Sequence, residues 1–143
     1  MRWYVDTSAL AKWYLNEAKS AEFTAWIKQH APVYISTLTL LEMQSLLARR
    51  RREGEIDYPL ELQIDAAMVQ DIEDGHLVHY EVENQDLQKA MRLFARVPQE
   101  PLRSLDALQL SVALRLGSGG ICTADRTVAD IAIALDLDIA RFD

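Results

Sequence analysis

Two patterns of apolar residues alternate along this chain. Short runs rich in β-branched and aromatic residues predict strands, and longer stretches with apolar residues every three or four positions predict helices. The five predicted strands span residues 3–5, 33–35, 77–80, 120–123 and 138–140. The seven predicted helices span residues 8–16, 20–30, 39–53, 60–73, 84–96, 105–116 and 127–135.

The alternation of strands and helices predicts an α/β fold. Each predicted strand is too short and too apolar to face water, so we expect a central, mainly parallel sheet with helices on both faces. This is a three-layer α/β/α arrangement. Only local breaks interrupt residues 1–143, such as Gly54, Pro59, 98–101 and 117–120. We therefore expect one domain.

Composition agrees with a globular protein that stays where it is made. Half of the residues are hydrophobic and 26% are charged. The single cysteine, Cys122, lies in an apolar stretch and has no intrachain partner, which favours a reducing cytoplasm. The most apolar runs are interrupted by acidic residues, so we expect neither a signal peptide nor a membrane span.

Four acidic residues occur near the points where a sheet of this class binds ligands. Such sites form beyond the carboxyl ends of the strands. Asp6 directly follows the first predicted strand, and Asp125 follows the fourth. Glu42 lies in the first turns of the helix after the second strand, and Asp106 opens the helix that precedes the fourth. We expect their carboxylates to meet at one edge of the sheet.

Each acid also has a purely structural explanation. Asp6 and Asp125 fit helix N-caps, whose side chains accept a hydrogen bond from a backbone N–H group. Thr39 and Glu42 have the spacing of a capping box. Asp106 fits the first turn of a helix, where a negative charge complements the helix dipole.

As a set, the four acids predict a bound cation. Like charges about 4 Å apart repel by roughly 4 kcal/mol at a surface-like dielectric, so such a cluster needs protons, arginines or metal ions. Glu42 and Asp106 also interrupt apolar helix stretches, where an unpaired carboxylate is costly. Oxygen ligands suit Mg²⁺ or Mn²⁺, whereas no cluster of histidines and cysteines indicates zinc.

Charge bears on whether such a site would act on a nucleic acid. The net charge of −7 is unusual for a protein that binds phosphate backbones. If four of the 22 acids hold metal, the remaining 18 against 15 bases leave only −3. Bound cations would also reverse the local field at the site. The acidic balance is therefore compatible with a nucleic-acid substrate.

Basic residues near the predicted site are candidate phosphate contacts. A run of four arginines at the end of the third predicted helix includes Arg49 and Arg50, and Arg103 precedes the Asp106 helix. The functional interpretation is contact with RNA phosphates. The structural alternative for the run is a solvated helix end whose cations meet the carboxyl-terminal dipole.

Four segments together resemble a known family. They are YVDTSAL (4–10), STLTLLE (36–42), LRSLDALQLSVAL (102–114) and CTADRTVADIA (122–132). In order and spacing they resemble the PIN-domain nucleases, and most of all the VapC-type toxins of toxin-antitoxin pairs. The resemblance runs from Arg2 almost to the carboxyl terminus, and residues 53–96 carry little of it.

The resemblance implies a PIN-like three-layer fold, Mg²⁺ or Mn²⁺ as cofactor, and hydrolysis of RNA phosphodiester bonds by an endoribonuclease. Asp6 and Asp106 match the firmest metal ligands of the family, and Glu42 and Asp125 match the acids that complete the site. The resemblance also places supporting hydroxyl groups at three positions, Thr7, Ser8 and Thr123. It further implies a homodimer and a cognate antitoxin that brings basic groups to the carboxylates of the site.

Two other functions remain open at this stage. One is a catalytically silent PIN-like binding module whose acids serve only as helix caps. The other is a phospho-accepting receiver domain, which also carries clustered aspartates on an α/β sheet. A receiver would need paired aspartates near the first strand and a lysine after a later one, and the sequence offers neither arrangement convincingly.

Overall fold

Five parallel strands form the sheet that positions the candidate site. The computed structural model describes residues 1–116 and 120–143, so most of the predicted break at 117–120 lies outside the described residues. The strand order is β3-β2-β1-β4-β5, and every neighbouring pair is parallel. The strands are β1 (Trp3–Val5), β2 (Val33–Ser36), β3 (Leu77–Tyr80), β4 (Gly120–Thr123) and β5 (Asp138–Arg141).

Seven helices flank the sheet in the described residues, in agreement with the predicted pattern. They are α1 (Thr7–Tyr14), α2 (Ser20–His30), α3 (Thr37–Arg52), α4 (Tyr58–Glu73), α5 (Asn84–Arg96), α6 (Ser104–Arg115) and α7 (Arg126–Ala134). The bounds of α2 and α5 match the predicted ones, and the other helix ends differ from them by at most two residues. The differences lie at helix ends, where local capping bonds decide which residue starts or ends the helix.

The start of α3 corrects one prediction. The helix begins at Thr37, with Ser36 as its N-cap and Thr39 as its third residue. The backbone N–H of Ser36 donates to Thr39 Oγ1 at 3.2 Å, so the capping-box pair is Ser36 and Thr39. The predicted pair of Thr39 and Glu42 is wrong, because Glu42 lies in the second turn of the helix, beyond the orphan amides.

Side chains alternate across the central strands and build two cores. Val5 and Cys122 contribute to a core that draws on α1, α2, α3 and α4. Tyr4 and Ile121 contribute to a core on which α5, α6 and α7 pack. Successive residues of a strand point to opposite faces of a sheet, so both faces of β1 and β4 are covered. The predicted three-layer α/β/α arrangement is thereby confirmed.

The connections change direction between β1 and β4. From β1 the chain moves outward to β2 and β3, and then it returns across the sheet to β4 and β5. β1 and β4 are therefore neighbours whose following segments leave in opposite directions, which opens a crevice at their carboxyl ends.

No helix of residues 1–116 and 120–143 is both long and apolar enough to span a bilayer.

We expect Leu110→Ala to lower the free energy of unfolding by about 2–5 kcal/mol, because it leaves a cavity under α6. Leu110 is fully buried in the core formed by α5, α6 and α7. Leu87→Ala makes the same chemical change at a side chain that is 49% exposed. This control should change the free energy by less than about 1 kcal/mol. Urea unfolding of both variants measures the difference, and equal losses would contradict the described packing.

Candidate metal and nucleic-acid site

The candidate site lies at the carboxyl edge of the sheet, between β1 and β4. Asp6 is the first residue after β1, and its backbone N–H donates to the Cys122 carbonyl at 3.0 Å. Thr123 ends β4, and Asp125 follows two residues later. The hydrogen bond from Asp6 continues the pairing of the two strands and brings both strand ends into the crevice.

A cavity of about 490 Å³ opens at this edge. Its wall includes all four carboxylates that the sequence singled out, Asp6, Glu42, Asp106 and Asp125. They come from the end of β1, the second turn of α3, the first turn of α6 and the turn after β4. Four segments far apart in the chain thus present acids to one space.

Asp6 is the most firmly held of the four acids. Only 5% of the residue is exposed. Its Oδ1 accepts from the backbone N–H of Ala9 at 3.0 Å and from Ser8 Oγ at 2.7 Å. Its Oδ2 accepts from Thr123 Oγ1 at 2.5 Å. Asp6 is therefore both the N-cap of α1 and an anchored wall of the cavity.

Ser8 and Thr123 link the ends of β1 and β4. Ser8 Oγ accepts from the backbone N–H of Ala124 at 2.9 Å, and Thr123 Oγ1 accepts from that of Asp125 at 3.0 Å. Asp125 in turn caps α7, since its Oδ1 accepts from the Val128 backbone N–H at 3.0 Å. Two of the three predicted supporting hydroxyls thus hold the segments that carry Asp6 and Asp125.

Glu42 is held by bonds from two other segments. Its Oε1 accepts from Thr7 Oγ1 at 3.0 Å and from Gln109 Nε2 at 2.5 Å. Thr7 is the third predicted supporting hydroxyl. Among the described residues, Glu42 Oε2 accepts no hydrogen bond from a side chain or a backbone amide, so this oxygen keeps its lone pairs for a ligand.

Asp106 is paired with a base from its own chain segment. Its Oδ2 lies 3.3 Å from Arg103 Nε, and Arg103 itself is mostly exposed. Asp106 is the third residue of α6, where a negative charge suits the helix dipole. Exposed pairs of this kind are weak and exchange readily with solvent. Arg103 therefore offsets the charge of Asp106 without closing the cavity.

The capping explanation accounts for only half of the set. Asp6 and Asp125 are N-caps, as the structural alternative predicted. Within residues 1–116 and 120–143, Glu42 accepts no bond from a backbone amide, and Asp106 accepts a side-chain bond from Arg103 and complements the dipole of its helix by charge. The cap bond uses one oxygen of each aspartate, and the other oxygen of Asp6 accepts from Thr123. The two explanations are thus compatible at Asp6 and Asp125, and capping is insufficient at Glu42.

Burial and mutual repulsion raise the pKa of two of these acids. Burial raises the pKa of Asp6 to about 6, although bonds from Thr123, Ser8 and the Ala9 amide oppose the rise. The nearby charge of Asp125 raises it further. Burial also raises the pKa of Asp106 above its ordinary value, against the bond and charge of Arg103, and Asp125 again adds to the rise. The cavity therefore favours added positive charge.

The donor set fits a hard divalent cation held partly through water. Every candidate ligand is an oxygen, which suits Mg²⁺ or Mn²⁺. In the part of the chain that the structure describes, no three His, Cys, Asp or Glu side chains form a ready metal-binding group. Mg²⁺ commonly uses one or two carboxylates and retains several water molecules. The lining residues fit that mode of binding better than a closed cage.

Two of the three predicted phosphate-contact residues lie at the cavity. Arg49 and Arg103 line it. Arg50 is not part of that lining, and its guanidinium pairs with Glu17 at 2.7 Å and Glu55 at 2.9 Å. These ion pairs join the end of α3 to neighbouring segments. For Arg50 they replace the solvated helix end that was the structural alternative for the arginine run. The geometry gives the predicted RNA contact of Arg50 no support.

Sequence reasoning missed Gln109. This glutamine lines the cavity, lies one helical turn after Asp106 and bonds to Glu42. A signal was present, because Gln109 is a large polar residue inside the apolar stretch ALQLSVAL. A buried amide must have hydrogen-bond partners, so the position of Gln109 predicts a polar neighbour.

Comparison with known proteins identifies the family. The PIN-domain profile matches residues 3–134, which is nearly the whole chain. The chain belongs to the PIN-domain family. PIN domains are typically nucleases and generally use divalent metals. No protein of reviewed function matches this sequence closely enough to count as a relative.

Solved structures with the same fold include VapC toxins. VapC20 of Mycobacterium tuberculosis, a toxin that cleaves the sarcin-ricin loop, superposes with a TM-score of 0.71 at 18% identity, over 90% of this chain and 93% of its own. VapBC2 of Rickettsia felis, bound to promoter DNA, gives 0.70 at 12% identity over 100% of both chains. DNA-bound VapBC of Salmonella typhimurium gives 0.61 at 16% identity, over 100% and 99%. At these identities the likeness shows the fold of this PIN domain.

We expect Asp6→Asn to stabilise the metal-free protein at neutral pH. The native pKa near 6 exceeds the ordinary value of 3.8, so the native state holds this proton more tightly than the unfolded chain. That contribution to stability is complete below about pH 4 and is lost as pH rises through about 6. The asparagine variant lacks this loss, which corresponds to up to about 3 kcal/mol at pH 7.

The measurement is the melting temperature between pH 4 and pH 8 with a chelator present. The difference between Asp6→Asn and the parent protein should grow from near zero at pH 4 to a clear gain at pH 7. Asp138→Asn, at the exposed amino-terminal start of β5, is the control and should give a difference that does not vary through this interval. A constant difference for Asp6→Asn would contradict the raised pKa.

Proposed function

We propose that this PIN domain is a Mg²⁺- or Mn²⁺-dependent endoribonuclease and the toxin of a type II toxin-antitoxin pair. One observation carries the proposal: four carboxylates from four segments line one cavity at the topological switch of the sheet. Membership of a family of nucleases supports it. We further propose that residues 1–143 act as one domain.

Asp6, Glu42, Asp106 and Asp125 are the residues that would hold the metal in this proposal. When bound, the ion supplies a water of lowered pKa and offsets charge at the scissile phosphate. Asp6 is fixed by Thr123 and Ser8, so little of its conformational freedom remains to be lost on binding. Asp125 keeps one oxygen clear of its helix cap. Asp106 would give up its bond to Arg103 and bind the metal ion instead.

The rim of the cavity suits a nucleic-acid strand. Arg49 and Arg103 line it and would contact phosphates. Leu41 and Leu105 also line it, although they are 66% and 51% exposed, and apolar groups so placed would pack on bases or sugars. We propose RNA as the substrate, in keeping with the sarcin-ricin loop as the target of VapC20.

The proposal includes two protein partners. Structural neighbours of this chain are VapBC and FitAB toxin–antitoxin complexes. We propose a cognate antitoxin whose basic groups occupy the acidic cavity, since opposite charge favours that fit. We also propose a homodimer. Three exposed apolar side chains of α5 lie at helical spacing, Leu87, Met91 and Phe94, and form a face suited to a second copy.

We place the working protein in the cytoplasm. Its RNA substrates are there, and its single cysteine is buried.

The alternative function is a catalytically silent PIN-like binding module. The N-cap bonds of Asp6 and Asp125 favour this alternative, because they give those two acids a structural role that needs no metal. Metal binding separates the two functions.

We expect the protein to cleave RNA with Mg²⁺ or Mn²⁺ and to melt at a higher temperature as Mn²⁺ saturates it. A ligand at 100 times its Kd stabilises the native state by about 2.7 kcal/mol, or several degrees. Asp6→Asn and Asp106→Asn should each lose the shift and lower the cleavage rate by at least about 100-fold, because each removes a carboxylate ligand.

Asp138→Asn is the matched control, since it removes one carboxylate at the end of the sheet opposite the cavity. It should keep both the Mn²⁺ shift and the cleavage rate. RNA cleavage that survives both cavity substitutions would overturn the proposed mechanism. An absent Mn²⁺ shift together with absent cleavage would favour the silent binding module.

We expect Arg103→Gln to weaken RNA binding at every sequence and to reduce the slope of log affinity against log salt by about one, because one phosphate contact is lost. Binding is measured by fluorescence anisotropy over a salt series, in Ca²⁺ so that RNA stays intact. Lys28→Gln removes an equal charge from α2, which lies outside the cavity lining, and should leave the slope unchanged. Equal slopes for the two variants would remove Arg103 from the substrate path.

A further inference from the structure

The side chain of Gln109 carries a buried amide group in the middle of α6. Seven consecutive residues of α6 are buried, from Ala107 to Ala113, and Gln109 is only 4% exposed. Both ends of its amide group have partners. The oxygen accepts from the Tyr4 hydroxyl, and the nitrogen donates to Glu42 Oε1 at 2.5 Å and reaches Thr7 Oγ1 at 3.3 Å.

Tyr4 fixes the direction in which this amide faces. The Tyr4 side chain is fully buried, and its hydroxyl donates to the amide oxygen of Gln109. The hydroxyl also lies 2.8 Å from Ser36 Oγ and 3.2 Å from Thr39 Oγ1. The amide nitrogen donates to Glu42, so the amide oxygen faces Tyr4 and takes its one proton, and the hydroxyl can accept from Ser36 and Thr39. The oxygen end of the amide is thereby held at Tyr4, and its nitrogen end must face Glu42.

The amide in turn determines how Glu42 presents its oxygens. Oε1 accepts from both Gln109 and Thr7. We propose that Gln109 is a positioning residue, which fixes the orientation of Glu42 through the bond chain from Tyr4 and thereby assigns Oε2 to the cation. The consequence for metal binding rests on the proposed function. The coupling between Gln109 and Glu42 does not.

An amide is the group that this position requires. It must accept from Tyr4 on one side and donate to a carboxylate on the other. A glutamate has no donor when ionised, and a methionine of similar length offers neither bond. A carboxylate at position 109 would also face Glu42 at hydrogen-bond distance and repel it.

The first experiment measures the coupling without metal. With a chelator present, Gln109→Glu should lower the melting temperature by about 5 °C or more, because two carboxylates then meet. Adding Glu42→Gln to this variant restores a donor and acceptor pair with the roles reversed, and it should recover at least half of the loss. Two substitutions whose effects simply add would overturn the proposal.

The second experiment measures Mn²⁺ affinity by titration calorimetry. Gln109→Met should weaken binding by about 3-fold to 10-fold, since Glu42 is then free to rotate. Its kcat for RNA should fall more than its KM changes. Gln44→Met is the matched control, because it breaks an exposed glutamine to carboxylate bond, to Asp65, elsewhere on α3. It should leave Mn²⁺ affinity unchanged.

The outcomes separate this inference from the proposed function. A parent protein that binds no Mn²⁺ would remove the nuclease proposal, and the metal-free recovery would still decide whether Gln109 holds Glu42. A parent protein that binds Mn²⁺ while Gln109→Met binds it equally well would remove the positioning role alone. If Gln109→Glu fails to fold, a double-mutant cycle is made from Gln109→Met, Glu42→Gln and the variant that carries both. Changes in melting temperature that simply add in that cycle would again overturn the coupling.

Discussion

Burial of carboxylates at the carboxyl edge of the sheet is the constraint on which this site depends. Asp6 is nearly buried at the junction of β1 and β4, burial raises the pKa of both Asp6 and Asp106, and the charge of Asp125 adds to each rise. Such an arrangement costs stability unless positive charge is added. The fold offsets part of this cost with hydroxyl and amide donors, and the remainder favours a cation in the cavity.

Helix capping by Asp6 and Asp125 is compatible with the metal binding proposed for the same side chains. A carboxylate has two oxygens, and a cap needs one of them. At Asp125 the capping oxygen also fixes the side chain at the start of α7, so its position is set before any ligand binds. Anchoring of this kind lowers the entropy that must be lost on binding, which is an advantage for a site that must hold an exact geometry.

The acids are supported in two different ways. Asp6 accepts from Ser8 and Thr123, and the Asp125 backbone N–H donates to Thr123, so both acids are held where the parallel pairing brings the ends of β1 and β4 together. Glu42 lies on a separate helix, and its donors come from α1 and α6. The fold therefore has to dock three helices correctly before Glu42 acquires its orientation. Packing of the two cores and geometry of the site are thereby linked.

The sequence by itself determined the fold class, all twelve elements and the four acids that line the cavity. Helix and strand periodicity arises from neighbouring residues, and N-caps act within three positions, so these features can be recognised locally. Only the tertiary structure decided the partners of the buried polar groups. Tyr4 and Gln109 are 105 residues apart, and Arg50 lies in ion pairs with Glu17 and Glu55 and is absent from the lining of the cavity. A hydrogen bond or an ion pair between distant residues depends on how whole helices dock on the sheet, and no local pattern encodes that choice.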